Sequence, residues 1–226
     1  MNKCRFIVLS WLIYGTLMAQ GLQQSPSQPA PATSGFLSDY SRLTPFPSSG
    51  ESKLLNYIAP GQHHLGHIYI APVSSYPTDA NFSLIDRATL AALTSQFETQ
   101  LRTKLKQHFS LVDTVEQADS TITMAVTAVT AIEPKRKPRD YLPFRLITKP
   151  IKDATMGKQQ ELLVTLEMRI DDSKTKQVIF ESLQTEPSKK IGRTDDTDLH
   201  ADIKSLAPVI EGWVNHVNAA ISRIPS

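Results

Sequence analysis

Residues 161–186 read ELLVTLEMRIDDSKTKQVIFESLQTE, two alternating runs joined by a polar turn. In the first run Leu162, Val164, Leu166, Met168 and Ile170 alternate with Leu163, Thr165, Glu167, Arg169 and Asp171. A period of two puts five apolar side chains on one face of a strand and mostly polar ones on the other. Residues 171–176 are all polar, and Val178 and Phe180 resume an apolar face behind them. The pattern predicts a β-hairpin with one covered face. Burying each of the five apolar side chains is worth about 1.5–3 kcal/mol, so the rest of the chain must supply the cover.

Two amphipathic stretches can do so. Leu90, Leu93, Phe97, Leu101 and Leu105, then His108 or Phe109, recur at steps of three and four. That spacing predicts one apolar stripe on a helix of about 22 residues. Ser83-Leu-Ile-Asp86 ahead of it has the spacing of a capping box with Asp in place of Glu. Arg102, Lys104 and Lys106 near its end suit the negative pole of the helix dipole. The second stripe is Leu199, Ile203, Leu206, Ile210, Trp213, Val217 and Ile221. Pro208 inside it lacks a backbone donor and predicts a kink or a restart.

The remaining strands follow from the same reading. Residues 67–73 and 109–112 are short extended runs on either side of the first helix, which predicts a parallel pair with a right-handed crossover. Residues 121–132 alternate again, with Ile122, Met124, Val126, Ala128 and Ile132 on one side. Residues 36–57, broken by Pro45, Pro47 and Gly50, read as an irregular arm pinned by Phe36, Tyr40 and Leu43. The expected fold is a two-layer α+β domain: a mixed, mostly antiparallel sheet with two amphipathic helices on one face.

Ahead of this domain, Lys3 and Arg5 precede an uncharged run from Phe6 to Met18, and small residues follow at Ala19 and Gly21. Residues 1–21 therefore read as a secretory signal peptide. The apolar run spans about 20 Å as a helix, short of a ~30 Å hydrocarbon core. Residues 22–35, rich in Gln, Ser and Pro, cannot bury enough surface to offset their ordering entropy and read as a tether. Residues 36–226 form the single domain. With Lys3 and Arg5 set aside, 22 basic residues face 22 acidic ones. A neutral chain exerts no long-range pull on nucleic acid. Cys4 is the sole cysteine, so the processed chain is expected to carry neither a disulfide nor thiol chemistry.

Residues 34–45, SGFLSDYSRLTP, carry a resemblance. The small pair, Phe36-Leu37, Asp39-Tyr40 and Leu43 resemble the mature start of a family of bacterial envelope lipoproteins of unknown function. The likeness continues in Tyr57-Ile58, Ala71-Pro72-Val73, residues 126–134, residues 168–171 and Trp213. It implies an exported α+β protein in the periplasm and no particular activity. Two features depart from the family. The lipid-accepting cysteine is missing, because Cys4 lies before the apolar run, and Lys176 stands in the hairpin turn where the family often has Gly. The run from residue 109 to 132 also looks like small domains of envelope assembly proteins, including the N-terminal domain of the Tol system's propeller protein, a likeness of fold alone.

Reactive constellations were sought along the chain. His63, His64 and His67 lie in extended chain, where an i, i+4 pair is about 13 Å apart, too far for two ligands of one zinc ion. Asp195, Asp196, Asp198 and Asp202 suit a helix N-terminus and lack the glycine and closing glutamate of a calcium loop. Asp171 or Glu167 beside His200 or His216 is the conceivable acid–base pair. Catalytic and dinucleotide motifs are absent. No cofactor, metal or catalytic residue is expected.

Two surfaces are the expected contacts with a partner. One is the arm with Phe36, Tyr40 and Leu43. The other is a basic core, Lys135, Arg136, Lys137 and Arg139, in the long connection 133–160, where four close cations suit an anionic surface. The leading expectation is a non-catalytic exported protein that binds another envelope component. The alternatives are an exported hydrolase or metal-binding protein, and an accessory subunit held at the membrane by an uncleaved N-terminus.

Overall fold

The structure, a computed structural model, describes residues 33–46, 52–78, 80, 82–132, 160–191 and 201–225. Along the described chain run β1 (Thr44–Pro45), β2 (Lys53–Ile58), β3 (His67–Ile70), β4 (Ser74–Ser75) and α1 (Arg87–Leu105). Then come β5 (Ser110–Val112), β6 (Ser120–Ile132), β7 (Glu161–Asp172), β8 (Val178–Pro187) and α2 (Ala207–Ile221). The strands join in the order β1-β2-β8-β7-β6-β3-β5, with β4 beside β6. The pairs β1/β2, β2/β8, β8/β7 and β7/β6 are antiparallel. Those that β3 makes with β5 and β6, and β4 with β6, are parallel. This is a two-layer α+β fold with a mixed, mostly antiparallel sheet.

The hairpin pairs as its alternation requires. Met168 faces Ser182 and Ile170 faces Phe180 across β7 and β8. At the turn, Asp172 accepts from the backbone of Lys174 and Thr175, and Lys176 takes φ 61°. Where the resembled family often has glycine, this chain accommodates the left-handed conformation with a lysine. Leu162, Val164, Leu166, Met168 and Ile170 enter one core with Leu93, Phe97, Leu101 and Leu105 of α1. Ile210, Trp213, Val217 and Ile221 of α2 complete it. The helices lock edge to face through Phe97 and Trp213, whose ring centroids are 5.3 Å apart.

Several expectations are corrected. Residues 53–58 form strand β2 rather than irregular chain; Leu54 and Ile58 turn to the core while β8 supplies the ladder. The first helix starts at Arg87, capped by the Asp86 carboxylate accepting from Thr89 N, and not at Ser83. Ile85 is drawn into the core just before the cap, so the chain turns there first. Pro208 lies in the first turn of α2, where its missing N–H costs nothing, so the second helix begins at Ala207.

In β6 a register shift between Val126 and Ala128 flips the alternation. Val129 and Ala131 then face the helices, whereas Ala128 and Ile132 pair with Thr165 and Glu161 on the other side. Ala128 and Ile132 therefore do not share a face with Ile122. That far side is itself covered, since Leu163, Thr165, Glu167, Glu181 and Leu183 are all buried.

Candidate functional site

On its helix-facing side β8 begins apolar and turns polar: Phe180, then Ser182, Gln184 and Glu186. All four are buried. Neighbouring β2 sets Leu54 beside Gln184 and Asn56 beside Ser182. The Asn56 amide is buried and has no hydrogen-bond partner among the described residues. A strand under a helix is expected to carry apolar side chains there, because buried polar groups cost free energy unless bonded. This polar ridge is the place where the core departs from its own pattern.

Glu186, only 3% exposed, is its centre. Its Oε1 accepts from Gln184 Nε2 at 2.8 Å and lies 2.8 Å from His216 Nδ1 of α2. Ser52 Oγ donates to Oε2. His216 Nδ1 is also 2.6 Å from Gln184 Nε2. Gly212, one turn before His216, lets the carboxylate reach the helix backbone: a Cβ there would sit 2.6 Å from Glu186 Cδ.

Beside the ridge lies a cleft of about 270 Å³ lined by Ser52, Pro208, Glu211, Gly212, Asn215 and His216. Five of these lie at steps of one, three and four on α2, one face of that helix. Chemically the arrangement is a fixed carboxylate–imidazole pair beside a small polar opening. It lacks the geometry of a nucleophile relay. Ser52 and His216 both bond to the same carboxylate, whereas a serine nucleophile must donate to the imidazole.

The opposite sheet face is closed by the arm. Tyr40 Oη donates to Glu167 Oε2 at 2.6 Å, Ser34 Oγ donates to the same oxygen at 3.0 Å, and Thr127 Oγ1 donates to Oε1 at 2.9 Å. Glu181, fully buried, accepts from Ser38 Oγ at 2.8 Å and pairs with Arg42 at 2.7 Å. The Arg42 guanidinium also lies 4.1 Å over the Tyr57 ring. Burial pushes the Glu167 carboxyl above its ordinary range despite these donors. Burial and the bond to Glu167 raise the Tyr40 hydroxyl.

Of the sequence-predicted contact residues, Phe36 stacks edge to face on Tyr76 at 5.6 Å, Tyr40 bonds Glu167, and Leu43 is half-buried at the end of a short 3-10 turn. Lys135, Arg136, Lys137 and Arg139 lie outside the described residues, as do His200, Asp195, Asp196 and Asp198. The conceived acid–base pairs do not form with His216. Asp171 pairs with Arg169, Glu167 with Tyr40, and His216 goes instead to Glu186. His63 bonds the Ala59 carbonyl and His67 bonds Asp119. Among the described residues there is no group of three metal-ligating side chains, and no helix long and apolar enough to cross a membrane.

Sequence reading missed Gln184, Glu186, Ser52 and Gly212. The available signal was the polar sequence ESLQTE continuing a strand that a helix must cover, together with a glycine inside an apolar helical stripe.

Among curated proteins none matches this sequence. Solved structures similar to it include lipoprotein GNA1162 from Neisseria meningitidis, at 10% identity over 70% of this chain and 98% of that one, TM-score 0.34. A DUF4136 family protein from Bacteroides thetaiotaomicron matches at 11% identity over 78% of this chain and 99% of that one, TM-score 0.38. A putative neuraminyllactose-binding hemagglutinin homolog from Helicobacter pylori matches at 12% identity over 74% and 92%, TM-score 0.38. Likeness at that level defines no activity. Residues 32–216 match the family described as "Protein of unknown function (DUF3313)", and the chain belongs to that family.

Proposed function

We propose that this chain is an exported, non-catalytic cell-envelope protein that binds another envelope component through the cleft beside α2. Export rests on the charge and apolar layout of residues 1–21 and on the uncharged tether behind it. The observation that carries the binding reading is the buried polar ridge ending in Glu186, whose partners Ser52 and His216 line the solvent-facing cleft. Polar groups placed where the core needs apolar ones lower stability, and such departures gather at functional sites. The arm is the less favoured surface, because Tyr40, Ser34, Ser38 and Arg42 already bond the domain's own sheet.

Affinity capture from envelope extracts tests this, with retained proteins identified by mass. The mature protein, an Asn215→Trp variant that fills the cleft, a Phe36→Ser variant of the arm and a variant with Lys135, Arg136, Lys137 and Arg139 changed to Ser are compared at matched thermal stability. A specific protein retained by all but Asn215→Trp supports the cleft. Loss confined to the arm or basic variant moves the contact to that surface.

A further inference from the structure

The arm from Ser34 to Arg42 crosses the far face of the sheet, and its hold there is mainly polar. Leu37 is its one buried side chain. Tyr40 Oη and Ser34 Oγ both donate to Oε2 of Glu167 on β7, while Ser38 and Arg42 bond Glu181 on β8. Tyr40 Oη also accepts from the backbone N–H groups of Gly35 and Leu37, at 3.1 and 3.2 Å. The bend of the arm is wound around the hydroxyl that reaches Glu167.

The two carboxylates beneath it are treated unequally. Glu181 receives the Arg42 guanidinium as its counter-charge. Glu167, only 2% exposed, is bonded by hydroxyl groups, those of Tyr40, Ser34 and Thr127. In its own cross-strand row stand Ala125, Leu183 and Leu55, all apolar. The adjoining rows bring Arg169, Glu181 and Tyr57 on one side and Lys53 on the other. The arm adds Asp39, Tyr40 and Arg42, and Tyr76 stacks on Phe36 nearby. Arg42 is engaged by Glu181 and Arg169 by Asp171, and among the described residues no cation pairs with Glu167. Burying a carboxylate without a counter-charge favours its neutral form. Burial accordingly raises the Glu167 carboxyl, and with it the Tyr40 hydroxyl.

Lifting the arm removes the Tyr40 and Ser34 donors and returns water to Glu167, which then titrates as an ordinary glutamate. The closed arm holds a proton that the open arm releases. We propose that the arm is a pH-dependent strap, closed over β7 and β8 in acid and released from the sheet once Glu167 carries its charge. Closure is fully supported below the ordinary glutamate range and weakens as pH rises through the higher value of the closed state. One proton is exchanged, so the ratio of open to closed arm rises at most about tenfold per pH unit in that window. Asp171 is also raised by burial, but it bonds Arg169 and not the arm, so its titration leaves the strap in place. The device is independent of the cleft beside α2 and governs access to the opposite sheet face.

The test is NMR on the folded protein, titrated from about pH 4 to 8. Backbone heteronuclear NOEs are read at Leu37, Ser38 and Tyr40, and the side-chain carboxyl carbon of Glu167 is followed in the same samples. The arm is expected to be as rigid as the sheet in acid and to loosen with rising pH, in step with the Glu167 carboxyl. Glu167→Gln is expected to keep it closed throughout, Tyr40→Phe to loosen it at every pH, and Asp171→Asn to leave the parent's transition in place. An arm equally rigid across the range, or a transition that survives in Glu167→Gln, would overturn the strap. So would loosening that spreads through the whole sheet, because that is global unfolding. Where Glu167→Gln does not fold, the parent decides: an arm transition displaced from the Glu167 carboxyl titration overturns the proposal.

Discussion

The Glu186 carboxyl group packs against the backbone of Gly212, at a distance that leaves no room for a methyl group on the helix. In an ordinary helix interior Ala is favoured over Gly by about 0.5–1 kcal/mol. Here Gly212→Ala is expected to lower stability by about 1–3 kcal/mol, because the added Cβ must displace a buried, hydrogen-bonded side chain. Urea unfolding measures this directly, and a stabilised variant would show that Glu186 does not hold its place against α2.

The second expectation concerns the two faces of β7. Leu166 and Leu163 point to opposite sides of the sheet and both are buried. Leu166→Ala and Leu163→Ala should therefore each cost about 2–5 kcal/mol, the range for opening a cavity in a packed interior. Denaturant midpoints at unchanged slope are the readout. A Leu163 variant within about 0.5 kcal/mol of the parent, the usual surface range, would mean that the far face is not closed.

A third expectation follows from Glu167, whose carboxyl is raised by burial. The folded state then holds its proton more tightly than the unfolded chain does. The stabilising contribution is complete below the ordinary glutamate range and is lost as pH rises through the raised folded value. Glu167→Gln should remove that part of the pH dependence while leaving the rest of the stability curve in shape. Tyr40→Phe, which removes a buried donor from the same carboxylate, should cost about 1–3 kcal/mol at neutral pH. A pH profile identical in parent and Glu167→Gln counts against this reading of the buried Glu167 carboxyl.

Asp119 works in the opposite sense. It accepts from the backbone and side chain of His67 and from Lys174, and its carboxyl is lowered to about 2. Its contribution is present above the ordinary aspartate range and disappears as pH falls toward 2. Asp119→Asn should flatten that acid limb alone. The carboxylate also packs against Gly66, whose φ of 55° favours glycine, so Gly66→Ala should weaken the start of β3 at every pH. An unaltered acid limb in Asp119→Asn would break this assignment.

The fold was legible wherever one physical rule dominated. Alternation from Leu162 to Ile170 gave β7, and the spacing from Leu93 to Leu105 gave α1, because burying one face decides both. It was less legible where two rules compete. The bulge after Val126 inverts the alternation without a glycine to announce it, and β2 follows breakers that suggest loop. Ser83 offered a cap by spacing, but core burial of Ile85 moved the helix start to Asp86.

Of the proposed site, His216 was singled out as a candidate base, and its partner was not. Glu186 lies 30 residues away and is brought to it only by packing α2 over β8. No local periodicity records that meeting. The arm tells the reverse story. Its sequence stood out by resemblance, and the structure shows Ser34, Ser38, Tyr40 and Arg42 tied to the sheet through Glu167 and Glu181.

The central claim, that this protein works by taking a partner at the cleft beside α2, is tested most directly by site-specific photo-cross-linking in intact cells. A photoreactive amino acid is placed at Asn215 on the rim and, in a second strain, at Phe36 in the arm. The account predicts a discrete higher-mass adduct from position 215 that weakens when Glu211→Gln is added, and none of that mass from position 36. An adduct from position 36 with none from position 215 would contradict it.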